Sequence, residues 1–296
     1  MKILLTGGSG FLGSQLALFL EGEGYKVDLL LRAESRLDRI GCLEDKFRVW
    51  RFSNISEIAG FIEQSTPDLV IHTAGKYGRK GESDSELMDA NFNFGASIIC
   101  ALNQIKKNHI TFINANSSLP EGVSFYAKTK HLFSRFCVEN SLSNPEKFQF
   151  IDVALQHFYG PGDDKEKFTS KILHDCFNNV SEIMLTSGLQ QRDFVFIEDV
   201  VSAFGFIIKN NKKLKKIHEF QVGSGLTISV REFVELIRQL TNSKAKLLFG
   251  RVPYRINEPM HCQADLSEIN KLGWSPTYTL KDGILKTIEL EFNINS

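Results

Sequence analysis

Tyr126 and Lys130 are the two residues whose types and spacing are best suited to chemistry. They lie four positions apart in a segment with helical spacing of its apolar residues, so both side chains project from one helical face. A free phenol has a pKa near about 10 and is a poor acid–base catalyst at neutral pH, but a neighbouring ammonium group favours the phenolate. The pair therefore predicts proton transfer at a ketone or alcohol oxygen while a hydride moves at the carbon.

A glycine-rich turn near the start of the chain predicts a binding site for a dinucleotide. Gly7, Gly10 and Gly13 have the spacing G-x-x-G-x-x-G, after an apolar run and at the start of a helical pattern through Phe11 and Leu12. Glycines let the backbone approach a pyrophosphate closely, and a helix N-terminus presents unpaired amides with a partial positive charge. A plain strand-to-helix turn is the alternative, but the position between a strand and a helix favours the dinucleotide.

The end of the second predicted strand bears on the choice between the two nicotinamide cofactors. It reads Leu30-Leu31-Arg32, with Arg36 shortly after, and it holds no acid. A carboxylate at this place bonds the ribose 2′-hydroxyl of NAD, whereas an arginine pairs with the 2′-phosphate of NADP. We therefore favour NADP(H) over NAD(H), and a solvated loop position for Arg32 is the alternative.

The elements that must position these residues alternate between strands and helices. Apolar runs typical of strands occur at 3–5, 27–31, 47–52, 69–71, 111–113 and 148–153. Segments with helical spacing occur at 12–22, 55–64, 84–107 and 125–140. This alternation predicts βαβ units in a Rossmann-type, doubly wound parallel sheet of the α/β class.

The regular alternation of predicted strands and helices ends after about Gly160. Turn residues cluster at 160–164, and the later helical segments near 168–179, 199–209 and 230–241 are mixed with short strands. We predict a dinucleotide-binding domain over 1–160, to which about 194–225 also contributes. A smaller mixed α/β part over 161–296 is predicted to bind the substrate.

The composition excludes several classes of partner. The 296 residues include 35 basic and 35 acidic side chains, so the net charge is zero and no general attraction to nucleic acid or anionic membrane is expected. No apolar run is long enough to span a membrane, and the start of the chain lacks the pattern of a signal peptide. We therefore expect a cytoplasmic protein.

The cysteines and histidines do not predict a metal site. The five cysteines are odd in number, scattered and without ligand spacing, which is typical of reduced thiols. They are Cys42, Cys100, Cys137, Cys176 and Cys262. The seven histidines also lack the spacing of metal ligands, so we expect no metal.

Taken together, these residues resemble the extended short-chain dehydrogenase/reductases that act on nucleotide sugars. The resemblance covers nearly the whole chain. Besides the glycine turn and the Tyr126/Lys130 pair, it is carried by His72-Thr73-Ala74-Gly75-Lys76-Tyr77-Gly78, Asn91, His157-Phe158-Tyr159-Gly160-Pro161-Gly162-Asp163, Gln191-Arg192-Asp193-Phe194-Val195-Phe196-Ile197-Glu198-Asp199-Val200 and Leu272-Gly273-Trp274-Ser275-Pro276.

The resemblance implies a role for each matching residue. Tyr126 is the expected general acid, Lys130 is expected to bond the nicotinamide ribose, and two arginines are expected to clamp a substrate diphosphate. The expected cofactor contacts are Gly7, Gly10, Phe11, Leu12, Gly13, Arg32, Arg36, Asn54, Thr73, Ala74, Gly75, Asn91, Tyr126 and Lys130. The expected substrate contacts are Lys76, Ser117, His157, Arg192 and Arg255. The alternatives are an ion pair of Arg192 with Asp193 or Asp199, and simple packing for His157.

The chain departs from the pattern of that family at the end of the fifth strand. A serine or threonine hydroxyl is expected there to bond the substrate oxygen, and counting along the strand places Ala115 at that position. Ser117 or Ser118 is then expected to replace it. The related 4,6-dehydratases carry an Asp-Glu pair just after the hydroxyl residue, where this count places Asn116 and Ser117. Elimination of water lacks its acid and base without those carboxylates.

Three hypotheses on function follow from these features. The leading one is NADPH-dependent reduction of a nucleotide-diphosphate 4-keto-6-deoxy (or 3,6-dideoxy) sugar, for lipopolysaccharide or other surface polysaccharide. The second is a nucleotide-sugar epimerase with bound NAD, and the third is a non-catalytic dinucleotide sensor on the same fold. The resemblance also implies a homodimer through the helices at 84–107 and 125–140, although core burial would leave the same periodicity.

Overall fold

The computed structural model describes residues 1–293, apart from the side chains of residues 42 and 43. The chain forms two compact units. The first unit contains residues 1–117, 124–154 and 201–220, and the second contains 118–123, 155–200 and the remainder from 221. The last three residues of the predicted substrate-binding part lie outside the described residues. The predicted division at residue 160 stays a prediction beside these units.

The strands are numbered in chain order. They are β1 (Lys2–Thr6), β2 (Lys26–Arg32), β3 (Arg48–Phe52), β4 (Leu69–His72), β5 (Ile110–Ser117), β6 (Phe148–Leu155), β7 (His157–Tyr159), β8 (Glu182–Met184), β9 (Gln191–Arg192), β10 (Phe194–Phe196), β11 (Ile217–Val222), β12 (Ile228–Ser229), β13 (Lys246–Leu248) and β14 (His261–Cys262). Each of the six predicted strands is present, and β5 continues four residues beyond its predicted end.

The α-helices are numbered in the same way. They are α1 (Phe11–Gly22), α2 (Ile58–Ser65), α3 (Asp84–Met88), α4 (Phe94–Gln104), α5 (Phe125–Ser143), α6 (Phe168–Phe177), α7 (Ile197–Asn210), α8 (Val230–Leu240), α9 (Ser267–Asn270) and α10 (Leu280–Phe292). The helix predicted over 84–107 is interrupted by a turn of π-helix at Asp89–Asn93, between α3 and α4. The homodimer expected through this segment and α5 stays a prediction.

Seven strands form the central sheet, in the order β11-β6-β5-β4-β1-β2-β3. The strand β1 pairs in parallel with β2 on one side and with β4 on the other. The chain order therefore reverses between β1 and β4, and ligands of doubly wound folds bind in the crevice at such a switch point. The predicted Rossmann-type sheet is confirmed, and the switch point places the glycine turn after β1 in that crevice.

Helices cover the sheet because its strands are apolar on both faces. Strands β1, β2 and β4 are buried over most of their length, as expected for parallel strands between two helical layers. One core cluster joins aromatic side chains of the strands and helices of the first unit, among them Phe94, Phe112, Phe133 and Phe150. Packing of this kind fixes α4 and α5 against the sheet, and these two helices carry the residues discussed below.

The second unit is built around small sheets. The strand β9 lies between β12 and β14, while β7 pairs with β10 and β8 pairs with β13. Phe194 and Phe233 stack in its core with ring centroids 3.9 Å apart. The carboxylate of Asp193 accepts hydrogen bonds from the backbone amides of Ser224, Gly225 and Ala264. The predicted smaller, mixed α/β part is therefore present.

Membrane-spanning helices and metal sites can be assessed only among the residues that the structure describes. No helix among them is both long and apolar enough to cross a membrane. Within residues 1–293, no three side chains of His, Cys, Asp or Glu are grouped so as to hold a metal ion. Four of the predicted thiols, at Cys100, Cys137, Cys176 and Cys262, are unpaired cysteines, and the side chain of Cys42 lies outside the described residues.

Candidate active site

The glycine turn after β1 is a cradle that only glycine can form. Gly7 has a φ of +73°, and a Cβ atom placed there would lie 2.7 Å from the backbone nitrogen of Ala74. A Cβ atom on Gly13 would lie 2.0 Å from the carbonyl oxygen of Gly7. That oxygen accepts a hydrogen bond of 2.8 Å from the amide of Gly10, which precedes α1. Phe11 and Leu12 are the buried first residues of α1, so their amides are at its N-terminus.

Two cavities lie in the first unit, and one of them is lined by this turn. One, of about 200 Å³, is lined by Gly7, Gly10 and residues 73–75, which follow β4. The other, of about 420 Å³, is lined by Asn54, Lys76 and residues of the π-helical turn. Arg32 lines both cavities. These linings fit a dinucleotide, with glycines at the pyrophosphate and a cation at the end of β2.

The two predicted arginines of the cofactor site differ in position. Arg32 is partly buried at the end of β2 and lines both cavities. The side chain of Arg36 is 83% exposed, pairs with Asp38 at 2.9 Å and lines neither cavity. Glu34 lines the larger cavity beside Arg32, so a carboxylate is present two residues beyond the strand end.

The segment after β4 is held in place by Asn91. Asn91 lies in the π-helical turn and is fully buried. Its amide oxygen accepts a hydrogen bond from the backbone nitrogen of Lys76 at 2.8 Å, and its amide nitrogen donates to the carbonyl of Lys76 and the hydroxyl of Thr129. Thr73 anchors the same segment by donating to the carbonyl of Thr6 at 2.7 Å. Direct contact of Asn91 with a cofactor stays a prediction, because its side chain is bonded to protein groups.

Tyr126 lies at the start of α5, where Ser124 caps the helix. Its hydroxyl forms hydrogen bonds with the side chains of Ser117 and Tyr77. Burial raises the pKa of Tyr126 well above its usual value; the bond with Tyr77 raises it further, and the bond with Ser117 lowers it. A hydrogen bond that lowers the pKa favours the phenolate, and one that raises the pKa favours the protonated phenol. The raised pKa keeps Tyr126 protonated at neutral pH.

Lys130 lies one helical turn after Tyr126 and is 3% exposed. Burial lowers the pKa of Lys130 to about 8, against the opposing attraction of Asp152. His72, at the end of β4, bonds Thr6 through Nδ1 at 2.9 Å and is fully buried among phenylalanine rings. Burial and the nearby Lys130 lower the pKa of His72 to about 3, so this histidine is neutral. His72 is therefore a core residue rather than an acid or base.

The end of β5 supplies a hydroxyl to Tyr126. The strand continues to Ser117, and it is the hydroxyl of Ser117, not a group at Ala115, that contacts Tyr126. This contact is consistent with the expectation that Ser117 or Ser118 replaces the hydroxyl missing at Ala115, and β5 extends beyond its apolar run to reach Ser117. The two residues after Ser117 are Ser118 and Leu119, so this position also lacks the Asp-Glu pair of the dehydratases.

The predicted substrate arginines belong to the second unit. Arg192 is 4% exposed, and its guanidinium donates to Glu258 and to the carbonyl of Gln191. Arg255 is exposed, with its Nε 3.9 Å from Glu258. The alternative ion pair of Arg192 with Asp193 or Asp199 is wrong. Those carboxylates are occupied by other donors: Ser224, Gly225, Ala264, Thr277 and Tyr278.

His157 is the remaining predicted substrate residue. It begins β7, is partly buried, and its ring makes an edge contact with Phe194 at a centroid distance of 5.9 Å. Its backbone amide donates to the carbonyl of Asp193 at 3.2 Å. These contacts are packing within the second unit, and a role in substrate binding stays a prediction.

The family is decided by comparison of the sequence with known families. The sequence model of the NAD dependent epimerase/dehydratase family matches residues 3–223. The chain belongs to this family. It is therefore an NAD(P)-dependent enzyme, and the hypothesis of a non-catalytic sensor is not retained. The resemblance drawn from the motifs is confirmed.

Individual members of the NAD dependent epimerase/dehydratase family align over nearly the whole chain. CDP-abequose synthase of Salmonella typhimurium is 29% identical over 295 residues, which are 95% of each protein. Putative GDP-L-fucose synthase 2 of Arabidopsis thaliana is 22% identical, over 97% of this chain and 90% of the relative. The UDP-glucose 4-epimerase of Thermotoga maritima, solved with UDP-glucose, superposes with a TM-score of 0.85 at 17% identity and 99% coverage of both chains.

Sequence reasoning missed two side chains of this epimerase/dehydratase site. Tyr77 stands within a quoted motif but carried no predicted role, and its contact with Tyr126 joins segments 49 positions apart. Asp152 lies in an apolar strand next to Lys130. A single acid inside a mostly apolar strand is a signal that could have singled out Asp152, because a buried charge needs partners.

Proposed function

We propose that the chain reduces the ketone of a nucleotide-diphosphate 4-keto-6-deoxy (or 3,6-dideoxy) sugar with NADPH, in the synthesis of surface polysaccharide. The observation that carries the proposal is the hydroxyl contact of Ser117 with Tyr126, one helical turn before the buried Lys130. Two CDP-abequose synthases of Salmonella, each 29% identical over almost the whole chain, support the substrate class.

In this mechanism Tyr126 gives its proton to the ketone oxygen as the carbon is reduced. NADPH supplies the hydride when it is bound. Ser117 is hydrogen-bonded to Tyr126 and would hold the ketone oxygen beside it. Lys130 places a positive charge near Tyr126, which stabilises the phenolate left after the proton is given. Gly7, Gly10 and Gly13 would hold the cofactor pyrophosphate.

The residues around Ser117 and Tyr126 argue against elimination of water. A 4,6-dehydration needs an acid and a base beside the sugar carbons. Ser118 and Leu119 follow Ser117, and neither can do this work. Reduction needs no further carboxylate, since Tyr126 supplies the proton. The absence of the pair from this stretch of sequence thus favours plain reduction over dehydration.

Arg32 supports NADPH as the preferred cofactor. Its position at the end of β2 and in the lining of both cavities is where a guanidinium would meet a 2′-phosphate. For the substrate, we propose that Arg192 and Arg255 bind the diphosphate, because guanidinium groups bond phosphate oxygens in pairs. Lys76 and His157 are proposed as further substrate contacts.

The test is the loss of NADPH absorbance with a panel of 4-keto-deoxy sugars linked to CDP, UDP, GDP and dTDP. We expect turnover with one nucleotide class, and a loss of about 10²–10⁴-fold in kcat for Tyr126→Phe. Tyr25→Phe is a matched control, since Tyr25 lies in the turn before β2 and lines neither cavity. Full turnover by Tyr126→Phe would contradict the proposal.

Epimerisation is the second candidate, favoured by Glu34. This carboxylate lines the larger cavity beside Arg32 and could bond a ribose hydroxyl of NAD. An epimerase would retain oxidised NAD through purification and interconvert two sugars without net use of cofactor. Purified protein free of dinucleotide, with NADPH consumed in step with product, would rule it out.

A further inference from the structure

Asp152 is a buried carboxylate whose charge interacts with Lys130. It lies on β6, is 7% exposed, and accepts three hydrogen bonds. The amide nitrogens of Asn114 and Asn116 donate to its two oxygens at 2.8 and 2.7 Å, and the hydroxyl of Ser134 donates at 2.6 Å. Burial of a carboxylate without such donors is strongly unfavourable, so the three donors and the acid form one unit.

The donors to Asp152 come from the elements that carry the catalytic residues. Asn114 and Asn116 are two residues apart on β5, so both side chains are on one face of the sheet. The amide oxygen of Asn116 also accepts a hydrogen bond of 2.8 Å from the backbone nitrogen of Ser117. This chain of bonds runs from Asp152 through Asn116 to the residue that contacts Tyr126, and it holds the end of β5 in place.

Ser134 connects the carboxylate to α5. It lies four residues after Lys130, so the two side chains are neighbours on one helical face. Its bond to Asp152 pins this face of the helix to β6. Asp152 thereby joins β5, β6 and α5 at the point where Ser117, Tyr126 and Lys130 meet.

Asp152 also carries the negative charge that attracts the ammonium group of Lys130. Three other titratable groups bear on Lys130: Cys137 on α5 and His72 on β4 interact with its charge, and Tyr126 precedes it by one helical turn. Burial raises the pKa of Cys137 and of Tyr126 well above neutrality, while the pKa of His72 is lowered to about 3. All three are therefore uncharged at neutral pH. Within the described part of the chain, the carboxylate of Asp152 balances the ammonium of Lys130.

We propose that Asp152 is a positioning residue that sets both Ser117 and Lys130 for proton transfer at Tyr126. The carboxylate keeps Lys130 charged inside an apolar core, and its donors fix the end of β5. The catalytic part of this inference rests on the proposed reductase function, while the coupling of Asp152 to Lys130 does not. Asp28 is a matched control, because it is 5% exposed in the same sheet on β2 and accepts hydrogen bonds from Ser65 and Trp50.

The first experiment is the pH profile of kcat/KM for Asp152→Asn and Asp28→Asn. Loss of the opposing charge lets Lys130 release its proton more easily. The alkaline limb of Asp152→Asn is therefore expected at least one pH unit below that of the wild type, with a loss of tenfold or more at pH 8 relative to pH 6. Asp28→Asn should keep the limb of the wild type. A folded Asp152→Asn protein with an unmoved limb would overturn the proposal.

The second experiment measures Tm without substrate, so it is independent of the reaction. Lys130→Met is introduced into the wild type, Asp152→Asn and Asp28→Asn. Lys130→Met should raise Tm most in the Asp152→Asn background. There the ammonium of Lys130 has lost the negative charge that attracts it. Equal gains in the three backgrounds would refute the coupling. If Asp152→Asn alone does not fold, a cooperative transition in the double variant supports the proposal, and its absence overturns it.

Asn116→Ala tests the connection to Ser117. It removes one donor to Asp152 and the acceptor for the Ser117 amide, but it leaves both charges in place. We expect kcat to fall tenfold or more with the alkaline limb unmoved, and Asn116→Ser, which keeps a hydroxyl at this position, to recover part of the loss. Unchanged kcat in Asn116→Ala would remove this part of the proposal.

Discussion

The ring of Tyr77 stacks on the ring of Tyr126, with centroids 4.6 Å apart and an angle of 27° between their planes. The side chains of Tyr126 and Tyr77 are hydrogen-bonded, and this bond raises the pKa of Tyr126. Tyr77 is 40% exposed, and the guanidinium carbon of Arg79 lies 5.7 Å from its ring centroid. The general acid of the proposed reaction is thus covered by a second tyrosine that reaches solvent.

Tyr77→Phe should lower the pKa of Tyr126. The ring stacking is retained, but the hydrogen bond that holds the proton on Tyr126 is lost, and one such bond corresponds to about one pH unit or less. Tyrosinate absorbance is titrated for the wild type and for Tyr77→Phe, each with and without Tyr126→Phe, so that the difference reports Tyr126. An unchanged or raised pKa would contradict the effect assigned to this bond.

Lys130→Met should abolish reduction yet stabilise the fold at neutral pH. Burial lowers the pKa of Lys130 from 10.5 to about 8. This buried ammonium therefore costs at most about 3 kcal/mol below pH 8, and the cost fades as the pH rises towards 10.5. Denaturant unfolding at pH 7 and pH 10 is the measurement. The wild type should gain stability over this interval relative to Lys130→Met, and parallel behaviour of the two proteins would exclude this account.

Gly13→Ala should destabilise the turn and weaken cofactor binding. Its new Cβ atom meets the carbonyl oxygen of Gly7, which is backbone and cannot rotate away. Overpacking of this kind costs about 1–3 kcal/mol. Gly22→Ala is the control, because it lies in the same helix with nothing within 4 Å of its Cβ. The control should be stabilised by up to about 1 kcal/mol. Equal stability of the two variants in denaturant unfolding would argue against the close approach.

Arg32→Ala should raise the KM for NADPH about tenfold or more and change that for NADH much less, because a charge-assisted contact with the 2′-phosphate is lost. Arg36→Ala should leave both values close to those of the wild type, since Arg36 is exposed and pairs with Asp38. Steady-state kinetics with both cofactors decides the point. Equal effects of Arg32→Ala on the two cofactors would favour NAD and the epimerase alternative.

Local patterns predicted most of the fold. The six strands and the helix of Tyr126 were found from the spacing of apolar residues, because buried parallel strands and amphipathic helices leave a direct mark on the sequence. The end of β5 was not predicted. Its last residues, through Asn116 and Ser117, are polar and are extended through hydrogen bonds to neighbouring strands, which no local pattern records.

The sequence by itself determined the family, the glycine turn and the Tyr126/Lys130 pair, since each depends on residues close together in the chain. Tertiary structure decided which hydroxyl contacts Tyr126, which carboxylate pairs with Arg192, and which acid opposes Lys130. These contacts join residues from 9 positions apart, for Ser117 and Tyr126, to 66 positions apart, for Arg192 and Glu258. Only packing of the sheet and helices brings such groups together, and the strength of their interactions depends on the burial that packing creates.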